Sequence, residues 1–430
     1  MSMTMAGILG IAILFTLFFL KVPISFSMFI VGFIGIVVVA TPESAFSLLS
    51  GNIWGEFSKY SLSVIPLYIL MGEIIYRSGI AKSLFDTAYK WVGHLRGGMA
   101  WTTILASAGF ASICGSNAAS SATMGTMALP ELKKYKYNNK LSAGAVAAGG
   151  TLGIIIPPST VLIIIALQSE QSVSELFKAS LIPGLLLTLI FIVLIGTITR
   201  MKPAYGPAAD IQVTMKDKVK SLLGIIPIFL LFIFVIGGLF MGIFTPTESG
   251  AFGAFGAIVL SLVMRRLTWD SFKMAVISSL KSASMVVMLI VGAIYFGRFL
   301  TITRIPFEIA QWTQSLSIPP ILILALIILI FIAGGALMDA IGFLVLAIPI
   351  FSPTVYALGY DPIWFSVVLC VVTSLGAITP PVGINAYVVH GIDKSIPVKD
   401  IFKGLTLFIL GYLIVIVLLL VFPEIVTFVL

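Results

Sequence analysis

The sequence predicts an all-α polytopic membrane protein built as an inverted-topology repeat, with two re-entrant hairpins and two broken helices. Three observations carry this. The 430-residue chain is 59% hydrophobic and 10% charged, with a mean hydropathy of +1.16, a composition that excludes a soluble globular protein. Its apolar runs are longer than barrel strands and do not alternate, which excludes a β-barrel. The segment Leu152-Gly-Ile-Ile-Ile-Pro-Pro158 reappears as Leu375-Gly-Ala-Ile-Thr-Pro-Pro381, an offset of 223 residues (152 to 375). Consecutive prolines end a helix, because each lacks an amide donor and displaces the residue before it from the α region. Inside a bilayer such a break persists only where protein or a water-filled cavity satisfies the freed backbone groups.

The first repeat occupies 1–200. Scaffold spans are expected at 4–20, 24–40 and 61–77, followed by an amphipathic arm at 80–96. Residues 98–131 are apolar and rich in small side chains, but the polar run 114–123 divides them into limbs of about 15 residues. At 1.5 Å per residue neither limb crosses a ~30 Å core, so the pair reads as re-entrant hairpin one. A broken helix at 141–168 and a span at 179–199 complete the repeat. A basic cytoplasmic linker, 201–222, leads to the second repeat, 223–430. It has scaffold spans at 223–243, 247–264 and 282–297, an arm at 298–317 and hairpin two at 319–353. A broken helix at 363–391 and a final span at 404–427 end the chain. The offset recurs in Pro23 with Pro246 and Pro130 with Pro353, so the chain is an internal duplication.

Charge supplies the orientation. With the four lysines of 133–140 placed in the cytoplasm, 21 of the 25 Lys and Arg fall inside, leaving Lys59, Lys178, Arg298 and Arg304 outside. The basic excess over 17 Asp and Glu therefore records loops rather than a nucleic-acid partner. Each repeat has five crossings, an odd number, so the second is inserted upside down. Both termini are expected in the periplasm. Residues 1–20 lack a basic n-region and a cleavage site and read as an uncleaved first span. Cys114 and Cys370 have no metal-ligand spacing and read as buried hydrophobes.

Paired half-helices converging near the midplane are a transporter pattern. Their N-terminal ends favour an anion, and the carbonyls at their C-terminal ends favour a small cation. Candidate oxygen ligands are Ser116, Asn117, Ser120, Ser121 and Thr123 at hairpin one, Asp339 with the 335–340 backbone at hairpin two, and Thr379 and Asn385 at the second break. The substrate-binding set is Ser116, Asn117, Ser120, Ser121, Pro158, Thr379, Pro380 and Asn385.

Gly115-Ser-Asn-Ala-Ala-Ser-Ser-Ala-Thr123, Ile156-Pro-Pro-Ser159, Thr245-Pro-Thr-Glu-Ser-Gly250, Met338-Asp-Ala340 and Ile378-Thr-Pro-Pro-Val-Gly-Ile-Asn385 resemble the large membrane subunit of TRAP transporters, the tripartite ATP-independent periplasmic systems. The resemblance spans essentially the whole chain. It implies sodium-driven uptake of organic acids across the bacterial inner membrane, by an elevator motion of hairpins and broken helices against the remaining spans. It implies sodium as the coupling ion, with no organic cofactor. One sodium site would use Ser116, Asn117, Ser120 and Gly153; a second would use Gly335, Met338, Asp339, Gly376 and Thr379. Implied partners are a small four-helix membrane subunit, expected as a separate chain, and a periplasmic substrate-binding protein. Sialic acid, C4-dicarboxylates and other carboxylates all suit such a site.

Simpler readings apply to several of these residues. One proline break is an ordinary kink; two in matching positions mark a site. The small residues of 115–126 also permit close helix packing. Asp339 is costly at membrane depth and reads as a site residue, the alternative being a hydrogen bond that closes the hairpin tip. Glu73 reads as the partner of Arg77 at i+4, and Glu248 as a helix-start carboxylate. Arg298 and Arg304 suit a protein dock, an anion or interfacial snorkelling. A binding-protein-independent sodium/organic anion transporter of related fold is the nearest rival. An intramembrane enzyme is disfavoured, because His94 and His390 lie near membrane edges without ligand spacing.

Overall fold

The computed structural model describes residues 2–208, 213–315 and 318–430; the parts of the expected linker and second arm at 209–212 and 316–317 lie outside them. Among the described residues every regular element is helical. In the first half, α1 (Met3–Phe19) and α2 (Ile24–Val39) form a pair, separated where Pro23 starts the second helix. Helix α3 (Pro42–Phe57) follows, then α4 (Val64–Arg77) and the arm α5 (Ala81–Val92), bent from α4 by 64°. Hairpin one is α6 (Gly98–Cys114) and α7 (Asn117–Lys134). The broken helix is α8 (Asn139–Ile155) and α9 (Thr160–Gln168), meeting at 43°, and α10 (Val173–Met201) closes the half. Pro157 and Pro158 end α8, and the Ser159 hydroxyl accepts from the Leu162 amide to start α9, so sequence chemistry supplies both the stop and the restart.

The connecting α11 (Met215–Leu223) leads into α12 (Ile226–Phe232), a π turn at Ile233–Gly237 and α13 (Gly238–Phe240). Helix α14 (Pro246–Val263) begins with a capping box: the Glu248 amide donates to Thr245 Oγ1 and the Thr245 amide to Glu248 Oε2 at 2.8 Å. Glu248 is thus a cap, as its position after Pro246 predicts. Next come the 34-residue α15 (Trp269–Ile302), the arm α16 (Ile305–Ser315), and hairpin two, α17 (Pro320–Leu337) with α18 (Ala340–Ala357). The second broken helix is α19 (Pro362–Gly376) and α20 (Ile384–Ile392); α21 (Val398–Val421) and the short α22 (Glu424–Thr427) end the chain.

The expected fold class is the observed one, and its repeat is visible in the packing. Helix α2 lies against α15 as α14 lies against α4. The second limb of hairpin one, α7, packs on α20, and that of hairpin two, α18, packs on α9, so each hairpin also clasps the other repeat's broken helix. At the centre α8 meets α19, where the Cys370 thiol donates to the Ile154 carbonyl at 3.3 Å. Among the described residues six helices are individually long and apolar enough to cross a membrane, or up to nine spans when each bent pair counts once.

Some boundaries differ from the sequence reading. Helix α3 occupies a stretch between the expected spans to which the sequence reading assigns no element, because its mixed Ser, Gly and Glu content hides its periodicity. The span expected at 282–297 belongs to a helix running from Trp269 to Ile302, since no Pro or Gly pair interrupts it. Arg298 therefore lies within that helix, and the second arm begins at Ile305. The linker carries α11, started by the Thr214 hydroxyl accepting from the Asp217 amide.

Candidate functional site

Both hairpin tips are built by capping chemistry and rest on a helix break. At hairpin one, Gly115 ends α6 at φ +61°, where a side chain would be strained, and a Cβ there would also lie 3.0 Å from the Pro158 carbonyl oxygen. Ser116 is extended and caps α7, and the Asn117 side-chain oxygen accepts from the Ala118 amide at 2.8 Å. The Thr160 hydroxyl, beyond the break, donates to the Gly115 carbonyl at 2.9 Å. Gly153 lets the tip approach, since a Cβ there would sit 3.1 Å from the Ser116 carbonyl oxygen.

Hairpin two repeats the design with different residues. Asp339 caps α18, its Oδ2 accepting from the Ile341 amide at 3.2 Å. The hydrogen bond considered for the tip is therefore present, and it leaves the exposed carboxylate facing a cleft. A Cβ on Gly376 would fall 2.5 Å from the Gly335 carbonyl carbon, so α17 and α19 touch backbone to backbone. Val382, within the second break, donates its amide to the Ala336 carbonyl at 3.3 Å.

The two tips meet in one cleft of about 230 Å³. Ser116 and Asn117 of hairpin one, Asp339 of hairpin two and Thr160 of α9 line it, together with Glu73 and Tyr76 of α4 and Ser282 and Met285 of α15. The remaining sequence candidates are not among the residues that line this cleft. Ser120 and Ser121 are buried, and their hydroxyls have no hydrogen-bond partner. Thr379 is half-buried and donates to the Leu375 carbonyl at 2.7 Å, while Pro380 is exposed and Pro158 is buried. Met338 is half-buried beside Asp339. Asn385 is fully buried: its Nδ2 donates to the Ala147 carbonyl at 3.0 Å and its Oδ1 has no partner. The second break is thus tied to α8, in the other repeat.

Glu73 pairs with Arg77 at 3.1 Å, as its i+4 spacing predicts, but it also faces the hairpin tips. An acidic residue in an apolar stretch was the available signal, and local pairing accounted for it too readily. Thr160 and Ser282 carried no signal at all, because one hydroxyl in an apolar helix is commonplace.

An oxygen-lined cleft where half-helix ends from two repeats converge, inside a chain this apolar, defines a membrane transporter. The family model described as "Tripartite ATP-independent periplasmic transporter, DctM component" matches residues 11–425, and the chain belongs to that family. It is 34% identical to the C4-dicarboxylate TRAP transporter large permease protein DctM of Pseudomonas aeruginosa, over 83% of each chain. It is 28% identical to the sialic acid TRAP transporter large permease protein SiaM of Vibrio cholerae, over 95% of this chain and 94% of the relative. Its fold resembles the crystal structure of the Alcanivorax borkumensis YdaH transporter, with a TM-score of 0.57, 15% identity and 89% of each chain covered. The chain is a multi-pass TRAP permease, a transporter rather than an enzyme.

Proposed function

We propose that this permease carries an organic acid inward by sodium symport, with the hairpins and broken helices moving as one body against the remaining helices. The meeting of both tips in one cleft, each tip seated on a break, is the observation that carries the reading. Sodium suits the donor set: buried hydroxyls of Ser120, Ser121 and Thr373 lack partners, and the C-terminal ends of α6, α8, α17 and α19 present carbonyls. Ser116, Asn117, Ser120 and Gly153 would hold one ion, and Gly335, Met338, Asp339, Gly376 and Thr379 the other. Ordering of both tips by sodium then completes the anion pocket, a binding linkage that couples the two gradients.

In the proposed orientation Glu73 and Tyr76 stand at the cytoplasmic end of α4, and their place in the cleft lining supports reading this state as inward-facing. The inner membrane, periplasmic termini, a separate small membrane subunit and a periplasmic binding protein complete the proposal. The cargo is a carboxylate of the kind the relatives' names record, C4-dicarboxylate or sialic acid. Reconstituted uptake tests it. A sodium gradient, the small subunit and the binding protein together are expected to be required, and Asn117→Ala and Thr379→Ala are each expected to cut uptake about tenfold or more, the effect of losing ~1.4 kcal/mol. Unchanged rate and sodium dependence in both variants would sink the assignment. Uptake without a binding protein would favour a two-component transporter.

A further inference from the structure

Each repeat places a cleft between its arm and the second limb of its hairpin, and the two clefts differ in a way that points to a ligand. On the cytoplasmic side the cleft between α5 and α7 is about 330 Å³, and its charges balance: Lys82 and Lys134 against Asp86 and Glu131. The Tyr89 and Tyr135 hydroxyls close its edge with a hydrogen bond of 2.6 Å. On the outer side the cleft between α16 and α18 is about 750 Å³, walled mainly by Phe307, Ala310, Pro349 and Pro353. Its lining contains one charged residue, Arg304, which is exposed and held 4.8 Å from the Phe307 ring centroid. Among the described residues Arg304 makes no ion pair.

A balanced cleft needs no charged partner, whereas an unmatched guanidinium at the mouth of a large apolar one is complementary to an amphiphilic anion. The charge distribution that orients the chain puts Arg304 at the outer membrane surface, the level of phospholipid headgroups. Guanidinium binds phosphate through two parallel N–H bonds. We propose that the outer cleft binds an anionic phospholipid, its phosphate on Arg304 and an acyl chain against Ala310, Pro349 and Pro353. The consequence for transport rests on the moving-body reading above. One wall, α15 and α16, belongs to the fixed part, and the other, α18, belongs to the moving hairpin. A lipid between them holds hairpin two away from its arm and favours the inward-facing state.

The test uses the full-length purified protein, equilibrated with vesicles containing equal amounts of phosphatidylglycerol and phosphatidylcholine, with retained lipid counted by native mass spectrometry. The wild-type protein is expected to retain phosphatidylglycerol preferentially. Arg304→Gln is expected to reduce that preference at least fivefold, and Ala310→Trp, which fills the cleft and spares the charge, to reduce retention of phosphatidylglycerol to a similar extent. Wild-type retention in both variants overturns the proposal, as does displacement of the retained lipid by succinate, which would make the cleft a vestibule for cargo. Because the readout is lipid retention without transport, its failure leaves sodium coupling standing, and failed sodium coupling leaves the lipid site standing.

Discussion

Single residues in this protein act mainly by allowing or preventing backbone approach. Gly376 is the clearest case, because a methyl group there meets the carbonyl carbon of Gly335 at 2.5 Å, and backbone cannot rotate away as a side chain can. Gly376→Ala is expected to cost about 1–3 kcal/mol in the docking of hairpin two. A lowered melting temperature in detergent and lost uptake are the readouts. Gly297→Ala, in α15 with nothing within 4 Å of the added Cβ, is the control that changes neither. Asn385 acts through a hydrogen bond instead. Asn385→Ala removes the bond to the Ala147 carbonyl, leaves that oxygen unpaired by the side chain, and is expected to destabilise by about 1–3 kcal/mol. A loss confined to sodium affinity, with an unchanged melting point, would contradict the structural role assigned here. The residue types at both breaks were legible in the sequence, since Pro-Pro and Gly have strong local effects. Their partners were not, because Ala147 and Gly335 advertise nothing about what approaches them.

At the scale of elements, each hairpin is seated on its own repeat's break and clasped to the other's. A further tie joins the C-terminal ends of α7 and α20, where Lys133 lies 3.8 Å from Asp393. Hydrogen bonds from the Ser395 hydroxyl, then the Ser395 amide, and the nearby Lys133 charge hold the Asp393 carboxyl below the usual carboxylate range. A depressed pKa stabilises the folded state above the unfolded value, and that contribution disappears as pH falls through the folded one. The pair lies at the surface, with Lys133 exposed and Asp393 half-buried, so Asp393→Asn is expected to cost less than ~1 kcal/mol at neutral pH. Melting curves of variant and wild type should converge below the carboxylate range; divergence there would rule the tie out as the cause. Helix existence at this scale followed from hydropathy and caps. The length of α15 and the presence of α3 did not, because one apolar segment continues into a more polar one without a breaker, and the other has weak periodicity.

For the whole molecule, the decisive geometry is that tips from opposite repeats reach one cleft against α4 and α15. Cysteines introduced at Tyr76 and Ala119, which both line the cleft, and joined by a short cleavable bifunctional reagent, are expected to arrest uptake reversibly, since under the proposed motion one lies on the fixed part and the other on the moving part. Continued uptake at full cross-linking would refute relative motion there. The amino-acid sequence alone determined the membrane class, the all-helical fold with its two matched proline breaks, and the family, because composition and helix breakers are each written locally and repeated. Only the tertiary structure decided which residues share the cleft, that Glu73 lines it together with Asp339, that Asn385 fastens one repeat to the other, and that the cleft between α16 and α18 is large with Arg304 as the one charged residue in its lining. Those facts depend on how two halves of one chain are docked, and docking is set by the summed fit of many small surfaces rather than by any one residue.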